Sequence, residues 1–187
     1  PAMLECHYGV PMAGAVLNTL NTRLDAAVLA FTLEHAETKV LITDREFSPV
    51  IRQALEGAKA KPLVIDYDDP EYAGPGERLG RIEYEEFIAA GDPDFAWRMP
   101  DDEWDAITLN YTSGTTGDPK GVVYSHRSNV LHAMMANNSD ALGTRAKDTM
   151  LPVVPLFHAN SWGIAFSAPS MGTKLVMPGP KLDGASV

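Results

Sequence analysis

Cysteine is nearly absent: the 187 residues hold one, Cys6, so no internal disulfide can form and no cysteine-rich metal site can be assembled. No run of eighteen apolar residues occurs, which excludes a membrane-spanning helix within the sequence. No basic stretch precedes an apolar segment near residue 1, so nothing reads as a secretory signal, and the expected compartment is the cytoplasm. Positive charge is also short. Fifteen Lys and Arg stand against 25 Asp and Glu, for a net charge of -10. Generic attraction to nucleic acid is excluded on that balance, because a phosphate backbone needs a basic surface, and any bound anion must be met by a local device. His7, His35 and His132 are isolated and lack the spacing of metal ligands, so they read as structural. No internal repeat is present, which excludes solenoid architectures. What remains is 45% hydrophobic, enough for a well-buried globular domain.

The first half alternates strand-like runs with helical patterns. Ala15 to Asn18 reads as a short buried strand, and Asp25 as the N-cap of a helix carrying Leu29, Leu33 and Ala36 on one face. Lys39 to Thr43 is the next strand. Ser48 to Ala58 spaces Val50, Ile51, Ala54, Leu55 and Ala58 as an amphipathic helix before the apolar run Leu63 to Ile65. Strands alternating with helices imply a parallel, doubly wound α/β sheet with right-handed crossovers. Residues 66–80 read as a polar surface loop with a solvated acidic run, followed by a short helix from Tyr84 to Ala89 and a connector over 91–105. A second unit follows: a strand at Ile107 to Tyr111, a loop to Gly121, a strand at Val122 to Tyr124, and a helix from Ser125 carrying Val130, Met134 and Met135. Thr149 to Val154 reads as a strand, Phe157 to Ala168 as a helix, and Lys174 to Met177 as a strand. The expected division is 1–95 and 96–187.

Between two of these strands lies Tyr111 to Gly121, YTSGTTGDPKG, with four Ser or Thr hydroxyls, three glycines and one lysine in eleven positions. That composition suits a phosphate chain. Glycines let backbone amides approach oxygens closely, Thr112, Ser113, Thr115 and Thr116 offer hydroxyl donors, and Lys120 offers a positive charge. It is not a Walker loop, which counted from Gly114 would place glycine at Pro119 and Ser or Thr at Gly121. The bland alternative is a polar hairpin, with Lys120 a solvated charge.

TSGTTGDPKG followed by VVYSHR resembles the signature loop of the adenylate-forming superfamily, which comprises acyl-CoA synthetases, firefly-luciferase-like enzymes and peptide synthetase adenylation domains. Leu20 to Asp44, Leu151 to Gly163 and Gly172 to Gly184 match in the same order, so the resemblance covers nearly the whole chain. VVYSHR and LFHANSWG are most similar to bacterial fatty-acyl-CoA and methylmercaptopropionyl-CoA ligases. The resemblance implies the three-layer α/β N-terminal domain of an acyl-CoA synthetase. It also implies a two-step reaction in which an acid and ATP give acyl-AMP and the CoA thiol then displaces AMP. Mg2+ accompanies ATP in the family, with a loop threonine among its contacts, for which Thr112 is the candidate.

By the same resemblance, Thr112, Ser113, Gly114, Thr115, Thr116, Gly117 and Lys120 are the expected nucleotide-binding residues, and Lys120 and His158 the expected catalytic ones. His158 would lie beside the reacting carboxylate and Trp162 would line the acyl pocket. The alternatives are a packed histidine at a helix start for His158 and plain core for Trp162. His126, in the SHR triplet, reads as a capping residue. The expected partners are a carboxylic acid, medium- or long-chain, with ATP and CoA; a homodimer is left open, as are a non-catalytic nucleotide-binding module and an aryl or amino-acid adenylating domain. The family's aromatic-Gly-x-Thr-Glu motif, ribose-binding aspartate, hinge and C-terminal lysine have no counterpart. The chain is therefore expected to be an internal fragment, cut within one domain at both ends and inactive by itself.

Overall fold

The computed structural model describes residues 1–112, 118–177, 179 and 184. Its contacts fall into two compact units: 1–19, 97–110 and 122–187 form one, and 20–96 with 111–121 form the other.

The unit built on residues 20–96 is a parallel α/β layer. Helix α2 (Ala26–His35) starts where the Asp25 side chain accepts from the Val28 amide at 2.9 Å, satisfying one of the free donors of the first turn. Strand β2 (Val40–Asp44) follows, then a 3-10 turn (Arg45–Phe47), helix α3 (Ser48–Gly57) with Pro49 in its first turn, and strand β3 (Leu63–Tyr67). β2 pairs with β3 in parallel from Val40↔Leu63 to Asp44↔Tyr67, and β3 pairs in parallel with β4 (Ile82–Glu83), which leads into α4 (Tyr84–Ala89). Leu29 and Leu33 from α2, Leu41 from β2, and Ile51 and Ala54 from α3 form the buried cluster at its centre.

The acidic run that begins at the end of β3 departs from the sequence expectation of a solvated segment at Asp66 and Asp68. Asp66 is fully buried, and its two carboxylate oxygens accept the Leu79 and Gly80 amides at 2.7 Å each. Asp68 accepts from Arg78 at 3.0 Å. The long loop is thus tied to the end of β3 by carboxylates, the available acceptors where its own amides find no strand partner.

The other unit opens with α1 (Ala2–Met12) and β1 (Leu17–Asn18). Its sheet has the order β1-β5-β6, where β5 is Ala106–Tyr111 and β6 is Gly121–Ser125. β1 pairs in parallel with β5, Leu17↔Thr108, rather than continuing into β2 as the β-α-β-α-β reading expected. Helix α5 (His126–Ala136) follows, and the Ser125 hydroxyl, not His126, accepts from the Ser128 amide as its cap. α5 buries Asn129 and Ala133, while Val130, Met134 and Met135 are exposed. β7 (Thr149–Met150) and β8 (Lys174–Leu175) pair in parallel and are shorter than the expected strands. Between them, the single helix expected over 157–168 is two pieces: a turn, α6 (Ala159–Trp162), and helix α7 (Ile164–Ser170). No described helix is long and apolar enough to cross a membrane.

Candidate functional site

The loop after β5 closes on its own backbone. The Thr112 amide donates to the Lys120 carbonyl at 3.0 Å, and the Thr112 hydroxyl accepts from the Lys120 amide at 3.1 Å. Both residues are exposed, and the Lys120 ammonium makes no ion pair with any described residue. Tyr111, one residue before, is fastened to α2: its hydroxyl lies 2.7 Å from His35 Nδ1, and the His35 ring stacks on Phe31. Burial raises the Tyr111 pKa above its ordinary 10.0, so the phenol stays protonated at neutral pH. Ser113, Gly114, Thr115, Thr116 and Gly117 lie outside the described residues. The donors that are described, a hydroxyl and an ammonium held at the two ends of a glycine- and threonine-rich loop, fit a polyphosphate. A hydroxyl oxygen such as that of Thr112 also fits a hard divalent cation. Among the described residues, no group of three or more His, Cys, Asp or Glu side chains could hold a metal by itself.

His158 and Trp162 belong to the other unit, at the two ends of α6. This turn is left-handed. Ala159, Asn160, Ser161 and Trp162 have φ of 46°, 55°, 55° and 53°, and Gly163 continues at 73°. Such a backbone costs a non-glycine residue about 1–2 kcal/mol, and four in succession persist only where their surroundings hold them there.

What holds them is visible. Asn160 and Ser161, both buried, turn inward: the Ser161 hydroxyl donates to the Val154 carbonyl at 2.7 Å, and Asn160 joins a chain of buried polar side chains. At one end of that chain, His7 Nδ1 lies 2.7 Å from the Met3 carbonyl. A carbonyl only accepts, so Nδ1 carries the proton and Nε2 accepts from Asn160 Nδ2 at 3.0 Å. Asn160 Oδ1 accepts from Asn110 Nδ2 at 3.0 Å and from the Thr108 hydroxyl at 3.3 Å, and Asn110 Oδ1 accepts from the Thr19 hydroxyl at 2.7 Å. Every donor in this chain meets an acceptor, in one direction.

On the other side, His132 Nε2 lies 3.0 Å from the Trp162 carbonyl, and its ring fills the space beside Gly163, where a Cβ would lie 2.5 Å from His132 Cδ2. His158 and Trp162 face outward; Trp162 is 62% exposed and His158 makes no side-chain cap to α6. Sequence reasoning left Asn160 and Ser161 unassigned and read His7 and His132 as merely structural. The available signals were the asparagine, which tolerates a left-handed backbone, and the glycine three residues after it.

Burial lowers the His7 pKa from its ordinary 6.5, while the hydrogen bond to Met3 acts in the opposite sense. The folded state therefore prefers the neutral ring, and its contribution to stability is complete above pH 6.5. That contribution declines as pH falls below 6.5, where the unfolded chain takes up the proton first. Thermal unfolding followed from pH 7.5 to 5 is expected to show a smaller acid loss for His7→Gln than for the parent protein. Equal slopes would contradict the assignment of a neutral, buried His7.

A model of the family described as AMP-binding enzyme matches residues 1–186. Over 187 residues the chain is 47% identical to a medium-chain-fatty-acid–CoA ligase of Ectopseudomonas oleovorans, covering 98% of this chain and 34% of that ligase. It is 44% identical to a 3-methylmercaptopropionyl-CoA ligase of Ruegeria pomeroyi, again with 98% of this chain and 34% of the relative covered. Among solved structures, the anthranilate CoA ligase AuaEII in complex with anthranoyl-AMP matches with a TM-score of 0.78 at 26% identity, covering 92% of this chain and 32% of that one. The chain thus spans about a third of the length of the curated relatives it matches.

Proposed function

The chain belongs to the AMP-binding enzyme family, and from that premise we propose that the protein carrying it activates a carboxylic acid with ATP and passes the acyl group to CoA. In the first step a carboxylate oxygen bonds to the α-phosphorus, the bond from that phosphorus to the bridging oxygen breaks, and pyrophosphate leaves with the electron pair. In the second, the CoA sulfur, having lost its proton, bonds to the acyl carbon, the bond from that carbon to the phosphate oxygen breaks, and AMP leaves with the electron pair.

The observation that carries this reading is the loop closed by Thr112 and Lys120, rich in hydroxyls and glycines, with a lysine that pairs with no acidic group among the described residues. Negative charge grows on the departing pyrophosphate, and donors already in place there stabilise the transition state more than the ground state. Lys120 supplies the charge and Thr112, with Ser113, Thr115 and Thr116 and the amides of Gly114 and Gly117, the hydrogen bonds. Bound Mg2+ would neutralise phosphate charge, and the Thr112 hydroxyl is the described oxygen suited to it. His158 steadies the carboxylate and Trp162 contacts the acyl chain, which we assign to the medium- or long-chain fatty acids from the names of the relatives. The cytoplasm is the proposed compartment, and residues 1–187 alone are expected to be inactive.

The intact protein, given ATP, Mg2+, CoA and in turn short, medium, long and aromatic acids, is expected to release AMP in equal amount to acyl-CoA, fastest with a medium- or long-chain acid. ATP binding without turnover on any acid would replace the enzyme with a nucleotide-binding module. Preference for an aromatic acid would overturn the fatty-acid assignment.

A further inference from the structure

We propose that His7, Asn110 and Asn160 are positioning residues for the acid: their buried hydrogen-bond chain holds the left-handed turn α6 and so fixes how His158 and Trp162 are presented. This rests on the reading of those two outward residues as the acid-facing pair.

Nothing in the turn's own composition selects its hand. Ala159, Ser161 and Trp162 all prefer a right-handed backbone, and only Asn160 visits the left-handed region with ease. The selection comes from what is buried. Asn160 and Ser161 occupy the middle of the turn and are fixed from inside the unit, by His7 on α1, by Thr108 and Asn110 on β5 and by the Val154 carbonyl. Residues on either side of that buried pair are therefore directed outward. If the backbone relaxed to the right-handed form, the Cα–Cβ bonds of all four residues would be redirected. Asn160 would then leave His7 Nε2 without its donor and take the nearer acceptor from Asn110 Nδ2, a loss that buried polar groups resist.

The chain also has a fixed polarity. The Met3 carbonyl sets the His7 tautomer, His7 Nε2 sets which way the Asn160 amide faces, and Asn160 Oδ1 sets the orientation of Asn110. Removing one member frees an amide to flip, and the loss propagates to the turn. His132 constrains the far end, where its ring leaves no room beside Gly163 for a side chain. The proposed role is thus one of geometry at a distance: none of His7, Asn110 or Asn160 reaches the surface that His158 and Trp162 present.

The test uses the intact protein and the acid panel. Asn160→Ala and His7→Leu are expected to lower kcat/KM for the preferred acid by about 10–100-fold, the scale of small misplacements made far from the chemistry, and to change the ranking of acids by length. KM for ATP is expected to stay within about twofold, because ground-state binding of the nucleotide is not addressed by these residues. His7→Gln, whose amide offers both an acceptor and a donor, is expected to restore activity to within about threefold of the parent.

His158→Ala and Trp162→Ala separate the two levels. If neither alters acid selectivity, the functional reading fails. If they do and Asn160→Ala, Asn160→Gly and His7→Leu do not, the positioning inference fails; equal losses toward ATP and acid would also overturn it. Asn160→Gly keeps the left-handed backbone accessible and serves where Asn160→Ala does not fold. Nitrogen NMR of the unsubstituted protein gives an outcome independent of any variant. His7 protonated at Nδ1 and bare at Nε2 supports the chain, and the opposite tautomer contradicts it.

Discussion

Lys120→Ala is expected to slow acid-dependent pyrophosphate release by about 10²–10³-fold, the usual loss when one donor to a developing charge is removed, and to leave the unfolding midpoint unchanged. The two halves of that expectation have separate origins. The side chain is exposed and pairs with no described acidic group, so its removal costs the fold nothing that is visible. The main chain of Lys120 does the structural work, through its amide and carbonyl to Thr112, and alanine keeps both. Lys120→Arg keeps the charge but replaces a compact ammonium with a planar fork, so partial activity is expected. Single-turnover release of pyrophosphate, measured beside thermal unfolding, reads both. A variant that lost stability in proportion to its rate would make Lys120 a structural cation.

Asp66→Ala is the substitution expected to cost the fold most, about 2–4 kcal/mol, because two half-buried amide donors lose their buried acceptor together. Leu79 and Gly80 cannot easily turn those amides elsewhere. Gly80 lies against the Val64 carbonyl so closely that a Cβ there would overlap it, and the chain must enter β4 in register with β3 two residues later. Asp66→Asn retains one acceptor and is expected to cost roughly half as much. Urea unfolding of the three proteins measures the difference. Similar midpoints for all of them would mean that the carboxylate does not fasten this loop.

Much of the fold was legible because some patterns admit one reading. Asp25 before an apolar helical face, the i, i+4 spacing from Ser48, and the polar stretch ahead of Tyr84 each predicted an element that the structure contains within a few residues. Partners were less legible than elements. β1 has two residues, too few to specify a neighbour, and it pairs with Thr108 and Leu109 some ninety positions away. Asp66 reads like its acidic neighbours in sequence, and only the backbone that returns to it shows that it is buried.

The site divides in the same way. The composition of Tyr111 to Gly121 raises the expectation of a phosphate loop, since hydroxyls, glycines and a lysine suit an anion, and its residues 113–117 lie outside the described residues. The left-handed turn was hidden because a helical spacing has the same period in either hand. His158 and Trp162 looked like neighbours on an ordinary helix, and the hand was decided by His7, more than 150 residues away.

Exchange of labelled pyrophosphate into ATP by the intact protein, without CoA, isolates the adenylation half-reaction. Exchange that appears only when a fatty acid is added, and that falls in Lys120→Ala, is the predicted result. ATP binding with no exchange for any acid, or exchange that ignores the acid, would contradict it.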